Sequence, residues 1–230
     1  MEKNKTKILF LGRKSDLFSI KLSKLLKKKF YNVTSYFSKK HNEKPNRIIN
    51  AWKGDYIISY RNYIILKDKN IKSAKKASIN FHPGPPKYRG VGCLNYALFN
   101  NERYYGVTTH LMNASIDSGK IIDFKKFKIS SKESLEKNLY KTHKHSYKSC
   151  IKLLNLIYLN KLNLKKMIDV NNKYKWSNII GTKKNLDKFY VIKIGTNKKN
   201  LEKKIRATLI GSFKPYIKIH NKRFYLQNEK

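Results

Sequence analysis

The chain is 230 residues long and 40% hydrophobic, enough to bury a core in one main domain with a small appendage. Its 53 Lys and Arg against 14 Asp and Glu give a formal net charge of +39, which excludes an acidic surface and would attract nucleic acid, anionic lipid or phosphorylated small molecules. Only seven of these cations are Arg, the residue favoured for bidentate phosphate or base contacts, and the Lys excess accompanies abundant Asn, Ile and Tyr. That pattern reads as the codon bias of an A- and T-rich genome written onto a solvated surface. The apolar stretch before Gly12 and Arg13 is only about five residues, too short for a signal-peptide core or a membrane span, so a cytoplasmic location is expected. Cys93 and Cys150 have no CxxC spacing and no His or Cys partner at metal-site intervals, so free thiols and no metal are expected.

Lys7 to Leu11 (KILFL) reads as a buried first strand with a turn at Gly12. A helix follows over Ser15 to Lys29, with Asp16 as a favourable charge near its start. Asn32 to Phe37 reads as a strand, Asn46 to Trp52 as a short helix, and Asp55 to Ser59 and Ala77 to Phe81 as the third and fourth strands. This alternation predicts an α/β fold with a Rossmann-like, mostly parallel sheet and helices on both faces. His82-Pro83-Gly84-Pro85-Pro86 breaks the periodicity and predicts a rigid loop to Gly92. A helix at Cys93 to Asn100 and strands at Tyr104 to Met112 and Ile121 to Ile129 come next, the strands separated by a turn at Asp117-Ser118-Gly119. Ser134 to Leu159 reads as one long helix or two, Leu201 to Leu209 as a helix, and Ile217 to Leu226 as a terminal hairpin around His220-Asn221-Lys222. The expected division is a catalytic domain over 1–165 and a C-terminal extension over 166–230 carrying a small helix and the hairpin.

Residues two apart on a strand share a face, so Asn80 and His82 point the same way at the carboxyl end of the fourth strand, where open α/β sheets bind ligands. The Asp117 turn can bring a carboxylate to the same place. Taken singly, each feature has a commoner explanation: a turn former, a satisfied His, an ordinary Asp turn. Together, INFHPGPPKYRGVGCLNYALFN from Ile79 to Asn100 and YGVTTHLMNASIDSGKII from Tyr105 to Ile122 resemble the signature of the folate-dependent formyltransferases. Those enzymes act on methionyl-tRNA, glycinamide ribonucleotide or nucleotide-linked 4-amino sugars. The His-Pro-Gly-Pro-Pro loop is most similar to the sugar branch, which includes the GDP-perosamine N-formyltransferases.

The resemblance implies that Asn80, His82 and Asp117 are catalytic. His82 would take the amine proton, Asn80 would donate to the developing oxyanion, and Asp117 would orient and charge-support His82. It implies N10-formyltetrahydrofolate as formyl donor, no metal, and a pterin pocket at Arg61, Tyr63, Ile65, Asn113, Ala114 and Ile116. Pro83, Gly84 and Tyr88 would shape the pocket of a nucleotide-linked amino sugar used in O-antigen or other surface polysaccharide synthesis. A homodimer through the terminal hairpin is expected. Two rivals are a methionyl-tRNA formyltransferase, favoured by the positive surface, and a non-catalytic basic module that binds nucleic acid.

Overall fold

The computed structural model describes residues 4–130 and 132–227. Apolar residues of the first strand, β1 (Asn4–Arg13), alternate between two cores because successive side chains face opposite sides of the sheet. Ile8 and Phe10 are buried with Leu22, Leu26, Leu153, Leu154 and Ile157. Leu9 and Leu11 are buried with Ile49, Trp52, Ile57 and Ile64. Helix α1 (Leu17–Lys29) and the 24-residue α5 (Leu135–Tyr158) supply the first core. The five-residue α2 (Arg47–Ala51) and, through Ile71, α3 (Asp68–Ile71) supply the second. Both faces of the sheet are therefore covered, as the near-continuous apolar runs of its central strands require.

The sheet has the order β2-β1-β3-β4-β6-β7, with β2 (Phe30–Ser38), β3 (Gly54–Tyr60), β4 (Ala74–His82), β6 (Tyr104–Leu111) and β7 (Ile121–Lys128). The first four strands in this order are parallel, and β6 pairs antiparallel with β4. The chain adds β2 on one side of β1 and β3 on the other, so the strand order reverses between β1 and β3. The chain has the α/β, Rossmann-like fold that the alternation predicts.

Several boundaries depart from the expectation. Gly12 lies inside β1 rather than in a turn, because β2 pairs with it and with Arg13 beyond it. Asp16 is the N-cap of α1, its carboxylate accepting from the Ser19 amide. The Pro-rich loop contains a two-residue strand, β5 (Arg89–Gly90), paired with β8 (Ile180–Gly181). Helix α4 (Cys93–Phe99) follows the loop as read, and Ser134 to Leu159 is one helix rather than two. Beyond it lie α6 (Leu164–Asn171), α7 (Lys183–Phe189), β9 (Val191–Ile192), α8 (Lys198–Thr208) and the hairpin β10 (Tyr216–Ile219) with β11 (Lys222–Tyr225). The hairpin turns through His220 and Asn221, both at positive φ (43° and 62°), as a tight two-residue turn matched to strand twist requires.

The contacts group the chain into two compact units, each discontinuous in sequence. The first comprises residues 1–83, 107–125 and 143–175, and the second 84–106, 126–142 and 176–230. The expected cut after residue 165 falls inside α6, whose Met167 and Ile168 pack on the first unit's core. Among the described residues, no helix is long and apolar enough to cross a membrane.

Candidate active site

Asn80 and His82 occupy the last turn of the pleat of β4, and the register places Asn80 opposite His110 and His82 opposite Thr108 on β6. The loop from β6 to β7 returns Asp117 to this point in the left-handed region, at φ 45°, a conformation that Asp tolerates better than most residues. Gly119 lets the loop close: a Cβ there would lie 1.8 Å from the Leu111 carbonyl oxygen, so only glycine fits against β6. All these residues belong to the first unit.

The three residues predicted to be catalytic meet. His82 Nδ1 is 3.1 Å from Asp117 Oδ2, and both side chains are buried, 3% and 8% exposed. A carboxylate only accepts, so His82 donates through Nδ1, and the neutral ring carries its lone pair on Nε2. Asn80 Nδ2 lies 3.4 Å from Asp117 Oδ1 and 3.1 Å from His110 Nε2. Burial works to raise the Asp117 carboxyl, but the His82 and His110 rings beside it hold it well below the usual carboxylate range. It therefore stays ionised while the site works.

The orientation of the Asn80 amide is fixed by a chain of donors. Asn62 Nδ2 donates to Ser59 Oγ, which in turn donates to Asn80 Oδ1 at 2.8 Å. With its oxygen engaged by Ser59, the amide directs Nδ2, its donor end, toward Asp117 and His110. His110 is held similarly: Nδ1 lies 2.7 Å from the Leu111 carbonyl, and Nε2 lies 3.1 Å from Asn80 Nδ2 and 3.4 Å from Asp117 Oδ1. Ser59, Asn62 and His110 were not singled out in the sequence. His110 stands in the Thr-Thr-His stretch of the recognised motif, but its place opposite Asn80 depends on strand register.

The residues expected to bind ligands are less convergent. Arg61 pairs with Asp16, and Tyr63 stacks on Arg13 and His41. Ile65 and Ile116 are large apolar side chains left 51% and 48% exposed. Asn113 accepts from Ser118 Oγ at 2.7 Å, and Ala114 is exposed. Pro83 closes the first unit's opening segment, while Gly84 and Tyr88 belong to the second unit. There the Tyr88 hydroxyl donates to Glu102 at 2.9 Å and accepts from Asn100 at 3.1 Å, so its polar end is already held within that unit.

A buried imidazole–carboxylate pair beside an oriented amide, at the carboxyl end of a parallel sheet, is suited to moving one proton and stabilising one oxyanion. A family model for formyl transferases matches residues 12–154, which include every one of these groups. The chain belongs to the formyl transferase family. Among curated relatives, it is 40% identical over 115 residues to a bifunctional polymyxin resistance protein ArnA of Wigglesworthia glossinidia brevipalpis, covering 48% of this chain and 17% of the relative. It is 35% identical over 69 residues to a GDP-perosamine N-formyltransferase of Brucella melitensis, covering 30% of this chain and 27% of the relative. Methionyl-tRNA formyltransferases also match. The matched stretch thus spans well under half the length of these relatives.

The chain shares its fold with a 4-N formyltransferase from Francisella tularensis, at a TM-score of 0.75 and 18% identity over 97% of both chains. An N-formyltransferase from Helicobacter canadensis, solved with folinic acid and dTDP-3-aminofucose, superposes at a TM-score of 0.61 and 21% identity, covering 95% of this chain and 86% of that one.

Proposed function

We propose that this formyl transferase moves the formyl group of N10-formyltetrahydrofolate onto the amine of a GDP- or dTDP-linked 4-amino-4,6-dideoxy sugar, a cytoplasmic step toward O-antigen or another surface polysaccharide. The convergence of His82 and Asp117 beside the oriented Asn80 amide carries this reading. The neutral amine attacks the formyl carbon, the new C–N bond forms, and the carbonyl pair moves onto oxygen. Asn80 Nδ2 donates to that oxygen, and His82 Nε2 takes the proton from the new ammonium nitrogen. Re-formation of the carbonyl then breaks the bond to N10 of the folate, which leaves with the proton that His82 Nε2 gives up, so the imidazole ends neutral. Asp117 stabilises the imidazolium formed on His82 by accepting its Nδ1 proton in a hydrogen bond. Holding amine and donor together contributes as much as roughly 7 to 11 kcal/mol, and one oxyanion donor about 3 to 4 kcal/mol.

Arg61, Tyr63, Ile65, Asn113, Ala114 and Ile116 are proposed to line the folate site, where the exposed Ile65 and Ile116 suit the flat pterin face. Pro83, Gly84 and Tyr88 are proposed to shape the sugar site. A sugar acceptor is supported by the Brucella and Helicobacter canadensis proteins, which act on or bind nucleotide-linked sugars. The +39 charge and the methionyl-tRNA formyltransferase relatives favour a second reading, formylation of charged initiator tRNA. Parallel assays with both acceptors decide between them: turnover of the nucleotide sugar supports the proposal, and turnover of the tRNA alone replaces it. The hairpin leaves Ile219, Phe224 and Tyr225 41%, 55% and 53% exposed, which supports pairing of two subunits there.

A further inference from the structure

We propose that Arg13 holds the phosphate of the amine-bearing substrate, at the crevice between the carboxyl ends of β1 and β3. This deepens the preceding reading and rests on it for the identity of the substrate. Arg13 is the last residue of β1 and Arg61 immediately follows β3, its neighbour in the sheet. The strand order reverses between these two strands, and open α/β sheets bind ligands in the crevice outside the carboxyl ends at such a point.

Two guanidiniums meet there with one carboxylate. Asp16 is already fully engaged: Oδ2 accepts from the Ser19 amide and hydroxyl, both at 2.7 Å, and Oδ1 pairs with Arg61. Arg13 therefore has no carboxylate of its own. Its Nε donates to the Arg61 carbonyl at 3.1 Å, and its guanidinium carbon lies 3.9 Å from the centre of the Tyr63 ring. Those two contacts fix the plane of the group and leave the two terminal nitrogens, the half of the fork that grips an anion bidentately, without an acceptor among the described residues. His143 adds no third positive charge: burial, then Arg61 and Arg13, push its imidazole down to about 3, so it stays neutral.

The backbone carries strain at the same place. Arg61 sits at φ 52°, unusual for a residue with a Cβ, and this turn accompanies both its carbonyl contact with Arg13 and its pairing with Asp16. A guanidinium oriented by a strained neighbour, with the nearby Asp16 paired to Arg61 instead, at a ligand-binding crevice is a receptor for an anion. The position selects which anion. β1 lies two strands from β4, roughly 10 Å from the strand that carries Asn80 and His82. A sugar ring can bridge that gap with its amine at His82 and its anomeric phosphate at Arg13.

The test compares the wild-type chain with Arg13→Ala and Arg13→Lys, the latter retaining charge without the planar fork. With a nucleotide-linked 4-amino sugar, Arg13→Ala is expected to raise KM for the sugar at least tenfold and to change KM for N10-formyltetrahydrofolate far less, although Arg13 touches Arg61 and Tyr63 of the proposed folate site. Arg13→Lys should fall between. With the 1-O-methyl glycoside of the same amino sugar, which has no phosphate, the three proteins should be equal. A rise in the donor's KM as large as the sugar's, which would indicate a folate glutamate carboxylate at Arg13, or an equal loss with both acceptors, overturns the proposal. Thermal stabilisation by inorganic pyrophosphate separates this proposal from the transferase reading. Stabilisation present in the wild type and lost in Arg13→Ala supports the anion site even where no formyl transfer is found, and equal stabilisation of both overturns it.

Discussion

At the scale of single residues, the hydrogen bonds assign distinct jobs to groups that lie within about one side chain's length of each other. His82 shares its Nδ1 proton with Asp117, so its other nitrogen is the one that can take a proton. Replacing His82 with Ala should lower kcat by about 10² to 10⁴ with little change in KM, since a base acts in the transition state. Asn80→Ala should cost about 10² to 10³ in kcat, the loss of one oxyanion donor. Steady-state kinetics at saturating donor measures both. Asn80, His82 and Asp117 could be singled out in the sequence through the resemblance of their two segments to a family signature; strand parity by itself aligns only the first two, and an Asp-Ser-Gly turn is common. His110 and Ser59 were not singled out. Their roles follow from the antiparallel register of β4 with β6 and the parallel register of β3 with β4, and no spacing within one segment encodes a register between two. The place of Arg13 is hidden from the sequence for a related reason: it depends on Asp16 being committed elsewhere, which only the side-chain contacts reveal.

At the scale of elements, the loop from β6 to β7 is the most constrained segment of the site. Gly119→Ala would place a methyl group 1.8 Å from the Leu111 carbonyl oxygen, so the loop must move and carry Asp117 with it. The variant should lose about 1 to 3 kcal/mol of stability, the usual cost of overpacking, and more activity than that loss of folded protein explains. Denaturant unfolding alongside kinetics at a temperature where the variant is folded separates the two effects. The long periodic segments were readable: β1, α1, β3, β4 and α5 stand where their apolar patterns put them. Most of the elements that escaped are short: α3 has four residues, and β5, β8 and β9 have two each, too few to show a period. Helices α6 and α7, of eight and seven residues, also escaped, and neither buries a residue fully. Gly12 suggested a turn because glycine commonly ends strands, but pairing with β2 extends the ladder through it.

At the scale of the whole molecule, stability should depend on pH through His143. Its folded-state pKa of about 3 lies below the ordinary 6.5, so between these values the unfolded chain binds a proton that the native one does not. That stabilisation is complete above about pH 6.5 and is lost as pH falls toward 3. His143→Gln, which cannot take up the charge, should flatten the fall in thermal midpoint between pH 6.5 and 4.5. Below that, Asp117, whose folded pKa is depressed, contributes stability that is lost as it protonates in turn. The discontinuous division into two units was also hidden from the sequence, because a contact between distant segments leaves no mark on the composition of either. The central claim is tested most directly by mass spectrometry of GDP- and dTDP-linked 4-amino-4,6-dideoxyhexoses incubated with N10-formyltetrahydrofolate and either the wild-type chain or His82→Ala. The sugar amine should gain one formyl group with the wild type, at a rate about 10² to 10⁴ above that of the variant. No formylated sugar from the wild type, or an undiminished rate in the variant, would contradict it.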